Sequence, residues 1–273
     1  GISENICMMC QDIFVEVGHG PTLIDNNILL SDASLRFATQ GVAMVHNLIC
    51  GALTCVGEGT SWRYTPYHMP HRTEVMGFMT ILHGDDRFYN NIFVQKWPSE
   101  DFITMHDSDD GFDSENRKVG TWMFDEYPTY DEWISQFDFT KPADMKKLES
   151  VHFDHLPVWS EGNVYLNGAK AWKHEKSGFV SSENVKVELT EKDGKYFLDT
   201  NIYEILEDFS GRMINTEVLG KAFEPEEFFE NPDGTPITFD TDYFGGHRGA
   251  KVIPGPFAEK EDVGKNVNIC TAF

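Results

Sequence analysis

The stretch VEVGHGPTLIDNNILL, residues 15–30, decides how this chain folds. Gly18, Gly20 and Pro21 forbid one continuous helix or central strand. The stretch therefore reads as strand, corner, strand, corner, strand. Asn27 followed by aliphatics then recurs. Asn5-Ile6-Cys7, Asn27-Ile28-Leu29, Asn47-Leu48-Ile49 and Asn91-Ile92-Phe93 share the pattern, at spacings of 22, 20 and 44 residues. Some twenty residues holding three short strands form one coil of a parallel β-helix. A coil cannot bury its apolar face alone, so coils stack at roughly 4.8 Å. The corner asparagines then form a ladder of side-chain hydrogen bonds. The expected fold is all-β: a right-handed parallel β-helix with inserted loops and a β-rich C-terminal extension. The alternative is a β-sandwich in which asparagine merely serves the turns.

Along the chain, coils are expected over 1–100, with a Gly/Pro/Tyr-rich loop inserted at about 52–76. Residues 101–156 break the pattern. Pro128–Phe137 reads as a short amphipathic helix with Trp133 and Phe137 on one face. Residues 157–273 hold a final coil, with Val164-Tyr165-Leu166 as a strand, and a β-hairpin extension. That hairpin spans 185–202 and turns at Asp193-Gly194.

The chain has 273 residues, 22 Lys+Arg against 45 Asp+Glu, and a formal net charge of −23. Such a surface repels phosphate backbones and anionic membranes, so neither nucleic acid nor membrane is an expected partner. No apolar run approaches the roughly 20 residues of a membrane span. No signal peptide is visible, which points to the cytoplasm. The five cysteines read as reduced core thiols rather than a zinc site. An exposed coil end at Gly1 predicts a covering partner or a homo-oligomer.

Counting back eleven residues from each corner asparagine places Glu16, Arg36 and Thr80 in one column. Counting back eight places His19, Thr39 and His83 in another. The inserted loop brings His71 and Arg72, with Tyr64, Tyr67 and His68. Carboxylate, imidazoles, guanidinium and aromatic rings on one wall are what a sugar site needs. The expected substrate-binding residues are His19, Arg36, His83, His71 and Arg72. No metal centre is expected, because the histidine spacing is not diagnostic. No cofactor is required. The acidic loop 107–115 offers oxygens to a structural calcium ion but lacks EF-hand spacing.

Residues 15–49, with YTPYHMPHRTEV over 64–75 and DDRFYNNIFVQ over 85–95, resemble the β-xylosidases of glycoside hydrolase family 120. The tail ITFDTDYFGGHRGAKVIPGPF, residues 237–257, is similar to that family's C-terminal end. The resemblance implies a β-helix interrupted earlier by a β-sandwich. It implies a retaining hydrolase that releases xylose from xylo-oligosaccharides. It also maps the family's acid/base glutamate onto Glu16. The family's nucleophilic aspartate lies about one coil earlier, ahead of Gly1. The chain therefore reads as the C-terminal part, whose partner is the N-terminal half of the same enzyme. Two other readings stay open: a polysaccharide lyase, and a non-catalytic carbohydrate-binding β-helix.

Overall fold

The computed structural model describes residues 2–3, 6–7, 13–31, 33–55, 64–96, 119–206, 208–259 and 267–271. The chain is mostly β, and short strands recur in order. The first set is β1 (Ile2–Ser3), β2 (Ile6–Cys7) and β3 (Ile13–Glu16). The second is β4 (Thr22–Asp25), β5 (Ile28–Leu29) and β6 (Ala33–Ala38), and the third is β7 (Val42–Val45), β8 (Leu48–Ile49) and β9 (Ala52–Cys55). A hairpin of β10 (Thr65–His68) and β11 (Val75–Met79) follows. The sets then resume with β12 (Asp86–Tyr89) and β13 (Ile92–Val94), and again with β14 (Val158–Glu161) and β15 (Val164–Leu166). β16 (Phe179–Val180), β17 (Val187–Lys192), β18 (Lys195–Thr200) and β19 (Val267–Thr271) complete the strands.

Equivalent strands pair in parallel. One sheet runs β1-β4-β7-β12-β14, a second β16-β15-β13-β8-β5-β2, and a third β3-β6-β9. The expected insertion at about 52–76 is corrected here. Ala52–Cys55 belongs to the third sheet, in register with Ala33–Phe37 of β6, so the insertion begins after Cys55. The reason is chemical: Leu53 is buried beside Leu35 and Phe37 and extends the core by one strand.

The corner between the first and second sheets explains Asp-Asn-Asn. Asn26, His46 and Asn90 have φ of 53°, 59° and 54°, and Gly162 has 71°. Asn, His and Gly tolerate this left-handed region better than β-branched residues do. The next residue is in each case a ladder asparagine. Nδ2 of Asn27 donates to Oδ1 of Asn47 at 2.9 Å, Asn47 to Asn91 at 2.9 Å, and Asn91 to Asn163 at 3.0 Å. Asn5 lies outside the described residues. Asn163 is a further rung that the sequence reading omits. At that end Glu175 accepts from the Asn163 backbone N–H at 3.0 Å and from the Tyr165 hydroxyl at 2.8 Å. Burial pushes the Glu175 carboxyl up, and its hydrogen bonds oppose the shift.

A second corner, between the third and first sheets, aligns Gly20, Gly41 and Gly84 at φ of 78°, 72° and 80°. A Cβ on Gly41 would stand 2.8 Å from the His19 carbonyl oxygen and 3.0 Å from the Gly20 Cα. Gly41→Ala therefore meets both left-handed strain and a backbone clash. It is expected to cost about 2–3 kcal/mol, read as a lowered urea midpoint at unchanged m-value. A midpoint within error of the parent would show that the corner can open.

The core lies between the three sheets. Ile24, Phe37, Met44, Ile49, Leu53, Phe88 and Phe93 are all completely buried there. The C-terminal half covers two outward faces. Ile214, Leu219, Ala222, Phe229 and Phe239 pack on Ala43, Val45 and Tyr89 of the first sheet. Leu198, Ile202, Tyr203, Ile253 and Phe257 pack on Ile28, Leu48, Ile92 and Val164 of the second. The hairpin β17–β18 turns through Asp193 and Gly194, both at positive φ. A helix, α1 (Tyr130–Ile134), begins at Thr129, which forms a capping box with Glu132. The Trp133 and Phe137 rings are 5.1 Å apart, with Phe137 one turn beyond the helix. Two further helical pieces are α2 (Met145–Val151) and α3 (Ile202–Ile205), and α4 (Thr216–Leu219) lies in the covering segment. No helix among the described residues is long and apolar enough to cross a membrane.

Candidate active site

The third sheet turns Glu16 and Arg36 away from the core, because Val15 and Phe37 point into it. Glu16 is exposed at the end of β3, and Arg36 is half-buried in β6. The expected Glu16–Arg36 column is corrected. Glu16 pairs with Ala38, and Arg36 pairs with Phe14 on one side and Thr54 on the other. Five residues join β3 to β4, but three join β6 to β7. Counting back from the asparagine therefore overshoots by two. A two-residue offset keeps both side chains on one face of the sheet.

His19 sits in the corner after β3 and is buried. Its Nε2 is 2.7 Å from Thr65 Oγ1, and its ring meets Tyr67 edge-on at 5.7 Å. The Thr65 hydroxyl donates to the Met79 carbonyl at 3.3 Å, so it accepts from the imidazole and assigns the proton to Nε2. Burial lowers the His19 pKa, which keeps the ring neutral. The eight-residue column is adjusted by one: Gln40, rather than Thr39, shares the position next to the stacked glycines with His19 and His83. Gln40 accepts from the Leu82 backbone at 2.8 Å, and Thr39 instead donates to the Gly18 carbonyl at 2.7 Å. His83 is buried, with its ring 6.3 Å from that of His155. The inserted hairpin meets this wall at its base through Thr65 and Tyr67. Its tip carries His71 and Arg72 to the C-terminal segment instead, where His71 Nε2 lies 2.7 Å from Glu230 Oε1. The acidic loop 107–115 lies outside the described residues.

Sequence reasoning passed over the chemistry of Asp85-Asp86-Arg87. Arg87 is buried with its guanidinium 2.8 Å from Asp85 Oδ1. It donates to the carbonyls of Leu219 and Lys221, both at 2.7 Å, and lies against the Trp159 and Phe229 rings at 4.5 and 4.6 Å. Burial pushes the Asp85 carboxyl up to about 6, and the Arg87 charge beside it opposes the shift. Arg87 floors a cleft of about 860 Å³ whose walls include Tyr130, Trp133, Trp159, Phe223 and Glu224. Aromatic faces with a few polar groups suit a ring-shaped, hydroxyl-rich ligand.

Asp86 points into the core and accepts from the Val42 backbone N–H at 3.1 Å. Its Oδ2 has no hydrogen-bond partner among the described residues. Burial raises its pKa well above the carboxylate range, so the folded chain keeps a proton that the unfolded chain loses near pH 3.9. This contribution to stability is full below that pH and is lost as pH rises through the folded pKa. Relative to the parent, Asp86→Asn should gain about 1.4 kcal/mol for each pH unit in which only the folded parent holds the proton. Urea unfolding of both proteins at pH 4, 6 and 8 reads the difference. A constant difference would mean that Asp86 is already ionised.

No family model and no curated protein matches this sequence. A solved structure of XylC in complex with xylose does match, over 97% of this chain, with a TM-score of 0.79 and 31% sequence identity. The chain spans 38% of the length of that XylC chain. In fold and in sequence, then, this chain is similar to a part of XylC.

Proposed function

We propose that this chain carries the acid/base half of a retaining β-xylosidase of the family-120 type, built on a right-handed parallel β-helix. The observation that carries the reading is the likeness to the xylose complex across nearly the whole chain. The coils would occupy 1–100, the loop and helix excursion 101–156, and the last coil with its hairpin extension 157–273. Glu16 would protonate the leaving oxygen and then deprotonate water. His19, Arg36 and His83 would shape the wall around the sugar. Xylo-oligosaccharide would be the substrate and the N-terminal half of the enzyme the partner.

The placement of Glu16 supports this role. β3 is the edge strand of its sheet among the described residues, with β6 on one side. A carboxylate on the next strand position outward would stand about 4.8 Å away. Retaining glycosidases hold their two carboxyl groups about 5–5.5 Å apart. The test is the configuration of xylose released from xylobiose by the chain together with its N-terminal half, followed by NMR. The expected first product is the β-anomer. An α-anomer overturns the retaining mechanism, and an unsaturated, UV-absorbing product would establish the lyase instead.

A further inference from the structure

Away from the third sheet, side chains far apart in the sequence converge. His71 lies at the tip of the β10–β11 hairpin, and Glu227 and Glu230 follow α4. His71 Nε2 is 2.7 Å from Glu230 Oε1, and His71 Nδ1 is 3.9 Å from Glu227 Oε1. One ligand atom from each residue falls within 4.8 Å of the other two. The half-exposed His71 side chain has room to turn. A modest rotation would bring the spread to the roughly 3.3 Å between ligands on a tetrahedral ion with bonds near 2.0–2.1 Å.

The C-terminal segment comes close to one side of the imidazole. A Cβ on Gly234 would stand 3.2 Å from His71 Cε1, so glycine there lets the C-terminal backbone approach the ring. The hairpin tip is closed by Arg72 N–H to the Met69 carbonyl and Met69 N–H to the Glu74 carbonyl, both at 3.1 Å. Arg72 and Glu74, of opposite charge, line the same cavity of about 600 Å³ as His71 and Glu227. The cluster itself is one imidazole against two carboxylates. That donor set suits a borderline cation such as zinc, with a fourth position left to solvent. Calcium takes six to eight oxygens and has no use for the imidazole.

We infer that His71, Glu227 and Glu230 form a three-ligand site for a zinc-class divalent cation, which fastens the hairpin tip to the C-terminal segment. The base of the same hairpin presents Thr65 and Tyr67 to His19, so the ion would order the hairpin beside His19. The inference does not depend on the glycosidase reading.

The test is calorimetric titration of the chelator-treated full chain with zinc chloride alone, paired with thermal unfolding. One equivalent is expected to bind and to raise Tm. His71→Ala and Glu230→Gln should each weaken binding roughly tenfold or more and remove the rise in Tm. His68→Ala should bind like the parent, because His68 Nδ1 faces the Thr73 carbonyl, outside the cluster. Without zinc, His71→Ala should unfold at the parent temperature, which separates loss of a ligand from loss of fold. The inference is overturned by absence of saturable binding, by variants that bind as the parent does, or by calcium chloride binding as tightly as zinc.

Discussion

Asn47→Leu is expected to destabilise the chain by about 4 kcal/mol or more. Asn47 is completely buried. Its amide donates to the Ile24 carbonyl at 2.8 Å and to Asn91 Oδ1 at 2.9 Å. Its oxygen accepts from both the backbone and the side chain of Asn27, at 3.0 and 2.9 Å. Leucine fills the volume but answers none of these four partners. Each buried group left unsatisfied costs about 1–3 kcal/mol. A sum of that size competes with the whole stability of an ordinary domain, about 5–15 kcal/mol. The rungs also point one way, each amide donating to the next oxygen and the last rung meeting Glu175. A break in the middle therefore removes mutual polarisation as well as contacts. Urea unfolding measures the loss, and a change below about 1 kcal/mol would show that the asparagines merely fit the corner.

That ladder was the most legible part of the molecule, because two signals coincide at each rung. A residue tolerant of positive φ precedes an asparagine, and an apolar strand follows it. Gly162-Asn163-Val164 carries the same signal, but 72 residues separate Asn163 from Asn91, and a period search passes over it. The Glu16–Arg36 register failed for a related reason. The asparagine marks one corner, and the length of the other corner varies between repeats.

Asp85-Asp86-Arg87 misleads by composition. Three charged residues suggest a solvated turn, yet every residue of β12 is buried. Asp86 faces the inner core while Arg87 lies under the covering segment 214–239, and nothing local to the sequence announces that cover. The His71–Glu227–Glu230 cluster is invisible for the same reason. Its three side chains come together only after the C-terminal half folds back over the first sheet.

If Glu16 is the acid, Glu16→Gln in the chain assayed together with its N-terminal half should separate two substrates. An amide cannot donate a proton to the glycosidic oxygen, so xylobiose, whose leaving alcohol needs protonation, should lose about 10²–10⁴-fold in kcat. A p-nitrophenyl xyloside leaves as a stabilised phenolate. Its first step should be far less impaired, so the covalent sugar would accumulate and turnover would stall at hydrolysis. The expected signature is a burst of p-nitrophenol with a slow steady rate, lifted when azide is added as a nucleophile that needs no general base. Because Glu16 is exposed at a strand end, the substitution should leave Tm nearly unchanged. Equal losses on both substrates, without a burst or azide rescue, would sink the assignment and move the acid elsewhere on the wall. The edge position of β3 makes the outcome informative either way. Among the described residues β3 edges its sheet, so under the proposed reading a nucleophilic carboxylate one strand position outward would stand about 4.8 Å away, close to the separation a double displacement requires.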